Sequence, residues 1–155
     1  CVGIELGVAG GHYSDRMMKS GKFKKFYGVD LYEDYHDTAE YIRALKLVGL
    51  EKNYVLLRMS FDEALELFDD NYFDFIYFDG NHTKKDTLEY FDYCLTTLTN
   101  ESIWIFDDIY WSNEMKETWS LIKKHPKVTV TVDLFYFGIV FFRKEQAKEH
   151  FKIRV

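Results

Sequence analysis

A chain of 155 residues suits one domain, and at that size roughly 68–70% of the unfolded surface is buried on folding, so a core needs no disulfide staple. With 14 Phe, 12 Tyr and one Pro the composition speaks against disorder, and a net charge of −6 with no basic cluster beyond Lys22–Lys25 speaks against a nucleic acid partner. Two cysteines, Cys1 and Cys94, form no disulfide framework and fit a reducing, cytoplasmic compartment; no charged-then-apolar leader or long apolar run points to secretion or a membrane.

The first element is Val2 to Ser14, Val-Gly-Ile-Glu-Leu-Gly-Val-Ala-Gly-Gly-His-Tyr-Ser: a short apolar strand, a glycine-rich turn, then a polar segment that opens a helix over Tyr13–Lys19. Glycine tolerates positive φ and leaves no Cβ between backbone and ligand, and in open α/β sheets ligands settle outside the carboxyl ends of the strands. The dinucleotide pattern G-x-G-x-x-G counted from Gly7 fails at Ala9 and His12; what stands here is Glu5-x-Gly7-x-x-x-Gly11, with Gly10 in addition. A turn that serves packing alone is the competing reading. Because the chain opens almost directly into this strand, the expectation is one domain over 1–155, trimmed at its start.

Lys25–Asp30 is expected to be a second strand ending in an acid. Asp30 follows Gly11 by 19 residues, near the spacing at which nucleotide-binding sheets place a carboxylate on ribose hydroxyls; alternatively it begins a turn. Asp37-Thr-Ala-Glu40 has the form of a capping box, with Ala39, Ile42, Leu45 and Val48 as the apolar face behind it and Gly49 as the stop. Tyr54–Leu57 is a third strand. Ser60-Phe-Asp-Glu63 is a second capping box, opening a short helix through Phe68.

Tyr72–Phe78 is a nearly unbroken apolar run, as a strand covered on both faces would be, and it stops at Asp79-Gly-Asn-His82-Thr83. Thr83 can cap a helix with Leu88, Phe91, Leu95 and Leu98 facing inward. Ser102–Phe106 is a fifth strand that also stops at acids, Asp107-Asp108, and Ser112 can cap a helix carrying Met115, Trp119 and Ile122. Val128–Val132 alternates strictly and Leu134–Phe142 follows too closely for a crossover helix, so the two are expected to pair as an antiparallel hairpin at the sheet edge. This Phe-rich hairpin is either core or a homodimer interface. The fold class is therefore α/β: a Rossmann-like three-layer sandwich on a mostly parallel, seven-stranded sheet ending in that hairpin.

Asp79, Asp107 and Asp108 fall at the carboxyl edge of neighbouring strands, where unpaired carboxylates are costly. They are expected to be protonated in part, to pair with lysines, to bind a hard cation such as Mg2+, which commonly takes one or two carboxylates, or to cap the helices that follow. His82 is a candidate general base or a surface histidine at a helix start; His12, His36, His125 and His150 show no ligand spacing. Tyr110 and Trp111 either line an acceptor pocket or pack.

Glu5-x-Gly7-x-x-x-Gly11 resembles the first motif of class I S-adenosylmethionine-dependent methyltransferases, with Ala9 at the usual middle glycine, and five βα units closed by a hairpin is the arrangement of that family. Asp79-Gly-Asn-His82 followed by Phe106-Asp107-Asp108 resembles its metal-dependent O-methyltransferase branch, catechol O-methyltransferase-like and cephalosporin-hydroxylase-like, and in particular the small bacterial members; the resemblance covers nearly the whole chain. It implies that Glu5, Gly7, Ala9 and Gly11 hold the methionine portion of S-adenosylmethionine, Asp30 the ribose, and Ser60 and Phe61 the adenine, with Leu31 and Asp79 completing the cofactor set. It further implies that Asp79, Asp107 and Asp108 hold Mg2+. Here Asp108 stands where that branch has Asn, and His82 where it has its basic lysine, with Lys84 and Lys85 close by. The expected activity is methyl transfer to a hydroxyl of a small-molecule acceptor, with His82 and Asp79 as catalytic residues. The rivals are a metal-dependent hydrolase built on the same acids and a non-catalytic cofactor-binding module.

Overall fold

Apolar runs of four to six residues alternate with capped helical segments, and the computed structural model, which describes residues 1–33, 35–70 and 72–154, resolves this alternation into thirteen elements. In chain order they are β1 Val2–Leu6, α1 His12–Lys19, β2 Lys25–Asp30, α2 Tyr35–Val48, β3 Tyr54–Arg58, α3 Phe61–Leu65, β4 Phe75–Phe78, α4 Lys84–Cys94, β5 Ile103–Phe106, α5 Asn113–Lys124, β6 Val130–Asp133, β7 Gly138–Phe141 and β8 Glu149–Lys152. The strands form one sheet in the order β3-β2-β1-β4-β5-β7-β6-β8, parallel throughout except for β7. The expected Rossmann-like α/β architecture and its antiparallel hairpin are present, with an eighth strand beyond the seven anticipated. The hairpin is consequently not the edge: β8 pairs parallel with β6 outside it.

Register brings the strand ends together. Leu6 pairs with Val29 on one side and Phe78 on the other, and Phe78 pairs with Phe106. Gly7, Asp30, Asp79 and Asp107, each the next residue along its chain, therefore emerge at one level of the carboxyl edge. The strand order also reverses between β1 and β4, which is where open α/β sheets form a crevice.

Beneath that edge Ile4, Leu6, Ile76, Phe78, Trp104, Phe106 and Val140 fill the sheet's core, with Phe78 and Phe106 stacked at 4.3 Å and 5°. α5 contributes Met115, Trp119 and Ile122, all buried as expected, and is capped by Ser112, whose hydroxyl accepts the Met115 N–H. Thr83 caps α4 in the same way, through the Asp86 N–H.

Several boundaries and faces differ from expectation. α2 begins at Tyr35, so Asp37 lies inside its first turn, where its carboxylate accepts the N–H of Glu33. Among its described side chains the buried ones are Ala44 and Val48, while Ile42 and Leu45 are 47% and 39% exposed. The rotation follows from α1: a Cβ on Gly11 would stand 2.9 Å from the Ala44 Cα, so the two segments meet backbone to backbone there. α3 ends at Leu65 rather than Phe68, and β4 starts at Phe75 rather than Tyr72. In β6 the buried face carries Thr131 and Asp133, not the valines. Thr131 is satisfied by the His150 ring of β8, 2.8 Å away, which makes burial of its hydroxyl inexpensive. Among the described residues no helix is long and apolar enough to cross a membrane.

Candidate active site

The loop after β1 is held in a conformation that few residues tolerate. Gly7 (φ 100°), Ala9 (φ 44°) and Gly11 (φ 79°) are all left-handed. A Cβ on Gly7 would come within 2.5 Å of the Asp79 carbonyl oxygen, so both its φ and the nearness of the β4–α4 loop require glycine. Asp30 stitches the loop to β2: its Oδ2 accepts the N–H of Val8 at 2.9 Å and of Ala9 at 2.8 Å. Hydrogen bonds to a carboxylate are the strong kind, so the shape of the loop depends on Asp30. Buried Tyr32 closes the far side by donating its hydroxyl to the Ala9 carbonyl at 2.8 Å.

Glu5 does not join this surface. It is 1% exposed, lies behind the loop, and takes a hydrogen bond from the Ser14 hydroxyl, which in turn contacts the Tyr54 hydroxyl at 2.8 Å. Its other oxygen, Oε1, has no hydrogen-bond partner among the described residues. Burial, ahead of repulsion from Asp79 and Asp30, raises its pKa to about 8, while the Ser14 hydrogen bond pulls the other way. Alternation along β1 turns the Glu5 side chain under α1, where it braces that helix against β1 from inside.

On the opposite side of Asp30 a cleft of 140 Å3 is lined by Asp30, Leu31, Ser60, Phe61, Asn81 and Tyr90. Asp30, Leu31, Ser60 and Phe61, grouped by resemblance as ribose and adenine contacts, therefore share one wall. Asn81 and Tyr90 were not anticipated; Asn81 follows the acid at Asp79 by two residues, while Tyr90 is brought in by α4. Phe61 and Tyr90 meet edge to face, ring centres 5.3 Å apart. Ser60 makes the expected capping box, its hydroxyl accepting the Glu63 N–H and donating to the Glu63 carboxylate, which occupies most of its bonding capacity. A recess of 190 Å3 lined by His12, Tyr13 and Arg16 at the start of α1 was likewise unanticipated.

The acids at the ends of β4 and β5 converge on His82. Its Nε2 stands 3.8 Å from Asp79 Oδ1 and 3.8 Å from Asp108 Oδ2. Asp79 is pushed up to about 8, first by burial and then by the like charges of Asp107, Asp108 and Asp30. Asp107 is turned inward: one oxygen accepts the Tyr77 hydroxyl at 3.0 Å and the other the Asp108 N–H at 2.9 Å. Both its oxygens already have donors, and among the described residues no group of three or more His, Cys, Asp or Glu side chains is arranged to hold a metal ion. The expected trio Asp79, Asp107, Asp108 does not assemble as a ligand set. Lys84 is drawn away to Glu117 on α5 at 3.0 Å and Lys85 is exposed, which leaves His82 as the basic group between the acids. The His36 side chain lies outside the described ones.

A family model described as a methyltransferase domain matches residues 4–109, from β1 to just past the Asp107-Asp108 pair. The chain belongs to that methyltransferase-domain family. Solved structures with the same fold include an SAH-bound methyltransferase of Podospora anserina (16% identity, TM-score 0.70, 92% of this chain and 72% of that one). An O-methyltransferase of Bacillus cereus in complex with SAH is similar (15%, 0.66, 90% and 73%), as is a cofactor-bound protein from MTB, Rv0187 (12%, 0.72, 93% and 73%). No curated protein matches. In this methyltransferase-domain chain the matched span takes in the glycine loop, Asp30, the Ser60–Phe61 wall and His82, all of which lie along the one sheet edge.

Proposed function

We propose that the chain transfers a methyl group from S-adenosylmethionine to a hydroxyl of a small-molecule acceptor. The observation that carries the reading is the glycine loop held open by Asp30 at the sheet's reversal point. Its backbone lies bare beside a cleft walled by Phe61 and Tyr90, a place for a purine, and beside the recess of His12 and Arg16, whose side chains suit an amino-acid carboxylate. The cofactor-bound state of the similar structures supports the same reading.

When bound, S-adenosylmethionine supplies a methyl group on a sulfonium, open to in-line attack. The chain's task is then alignment, worth about 7–11 kcal/mol when two reactants are pre-positioned, and disposal of the acceptor's proton. His82 Nε2 takes that proton, and the Asp108 carboxylate, 3.8 Å away, stabilises the imidazolium that results. The same negative edge favours a cationic cofactor over a neutral one. With no ligand trio assembled, no step here runs through Mg2+.

Calorimetric titration with SAH, with and without Mg2+, tests the reading. Binding is expected in both, and Asp30→Ala is expected to weaken it by about a hundredfold, through loss of two charge-assisted hydrogen bonds that shape the loop. Absence of heat in the wild-type chain would sink the proposal.

A further inference from the structure

Beyond His82, on the side away from the adenine wall, Asp108 opens onto a second cavity of 220 Å3 whose remaining lining is aromatic: Tyr110, Trp111, Phe135 and Tyr136. That volume is below the roughly 300–1,000 Å3 of drug-sized sites, so the cavity suits a small molecule or a headgroup. Tyr110 and Phe135 stack at 5.5 Å and 15°, and Tyr136 stands perpendicular to Phe135 at 5.1 Å. Trp111 and Tyr136 are 74% and 67% exposed, a large apolar area to leave in water beside a carboxylate.

The backbone here is held against its own preferences. Asp108 (φ 52°) and Phe135 (φ 75°) are left-handed, which for a bulky aromatic residue is a genuine outlier. Such conformations persist where surrounding bonds over-determine them, and they cluster at ligand sites. The fixing group is Asp133, 4% exposed: its carboxylate accepts the Phe135 N–H at 3.0 Å, the Tyr110 hydroxyl at 2.6 Å and the Arg154 guanidinium at 3.0 Å. Asp133 is thus a positioning residue for the aromatic wall.

The charge of the wall selects its guest. Four electron-rich rings and one carboxylate line the cavity, and of the rings Trp111 and Tyr136 are the most open to a guest. The chain's own cations already seek these rings: Arg154 lies 5.8 Å from the Tyr110 centroid and 5.5 Å from that of Phe135, and Lys152 lies 5.7 Å from Tyr110. An anion would meet Asp108. A cation gains from the ring faces and the carboxylate together, a gain that a neutral guest forgoes.

We propose that this cavity seats the methyl acceptor and selects a small hydroxylated ammonium compound; the inference rests on the methyl-transfer reading above. Asp108 then serves two neighbours, flanking the ammonium on one side and His82, 3.8 Å away, on the other. The cation is held by the rings while its hydroxyl is left for the histidine.

The test compares choline with its neutral carbon isostere, 3,3-dimethylbutan-1-ol, by ligand-observed NMR titration of the whole chain, with SAH titrated in parallel by calorimetry. Choline is expected to bind at least about tenfold more tightly than the isostere, and Trp111→Ala and Asp108→Asn are each expected to weaken choline severalfold while far-UV circular dichroism is unchanged. Equal binding of the isostere, or no choline binding by a protein that binds SAH, overturns the ammonium selection alone. Failure of SAH to bind overturns the methyl-transfer reading, and with it the cavity's role as acceptor site.

Discussion

Replacing Glu5 by glutamine isolates the most strongly buried ionisable carboxyl in the site's foundation. Glu5 ordinarily titrates near 4.5, and in the folded chain its pKa is raised to about 8 by burial, against the pull of Ser14. Below pH 4.5 the carboxyl is protonated whether the chain is folded or not, and its contribution to stability is fully present. As pH rises the unfolded chain releases the proton first, while the folded chain keeps it until about 8, so stability falls across that window. A separation of this size corresponds to about 5 kcal/mol, comparable with the lower end of a domain's whole stability. Glu5→Gln removes the titration. Its amide N–H2, if placed where Oε1 now lacks a partner, costs about 1–3 kcal/mol at every pH, which shifts the curve without tilting it. Urea unfolding of both proteins at steps between about pH 4.5 and pH 8 should show the variant gaining on wild type by several kcal/mol as pH rises, or by roughly 2–4 °C per kcal/mol in melting temperature. Parallel pH profiles would refute the claim that Glu5 is buried in its neutral form.

Gly7→Ala should abolish SAH binding in calorimetry, since its Cβ would stand 2.5 Å from the Asp79 carbonyl at a φ that alanine resists; retained affinity would mean the loop is more pliant than its geometry implies. His82→Ala should lower the methyl-transfer rate constant by about 10²–10⁴ while SAH affinity stays near wild type, measured on an acceptor found to turn over. Tyr110→Phe removes the hydroxyl donor to buried Asp133 and should lower unfolding stability by about 1–3 kcal/mol in urea titrations, and it should weaken choline as well if the aromatic wall depends on that bond.

Features that depend on near neighbours in the chain are legible from the residues themselves. Ser60, Thr83 and Ser112 are identifiable as helix caps because capping needs only a hydroxyl and the amide three residues on. The stripe Met115, Trp119 and Ile122 marks the inward face of α5, and the short gap after Val132 marks the antiparallel hairpin. The glycine loop and the acids at strand ends are visible because turn chemistry is local. Expectation and structure part where two segments compete for one surface. α2 carries two overlapping apolar stripes, and only its close approach to Gly11 decides that Ala44 and Val48 face inward. β8 leaves no trace in the residue pattern because Glu149, His150, Phe151 and Lys152 are all exposed and show no alternation; pairing with the β6 backbone makes it a strand.

The α/β alternation, the helix starts and the row of glycine and acids along one sheet edge are written into the order of residues, since each follows from groups within a turn or two of one another. Three further outcomes come from packing across the sheet. Glu5 turns under α1 and away from the crevice, Asp107 spends both oxygens on Tyr77 and its own neighbour, and Asp133 gathers Tyr110, Phe135 and Arg154 into one wall. Those outcomes turn on which groups meet across distant strands, and the free energy of a buried carboxylate is set by the donors it meets there rather than by its place in the chain.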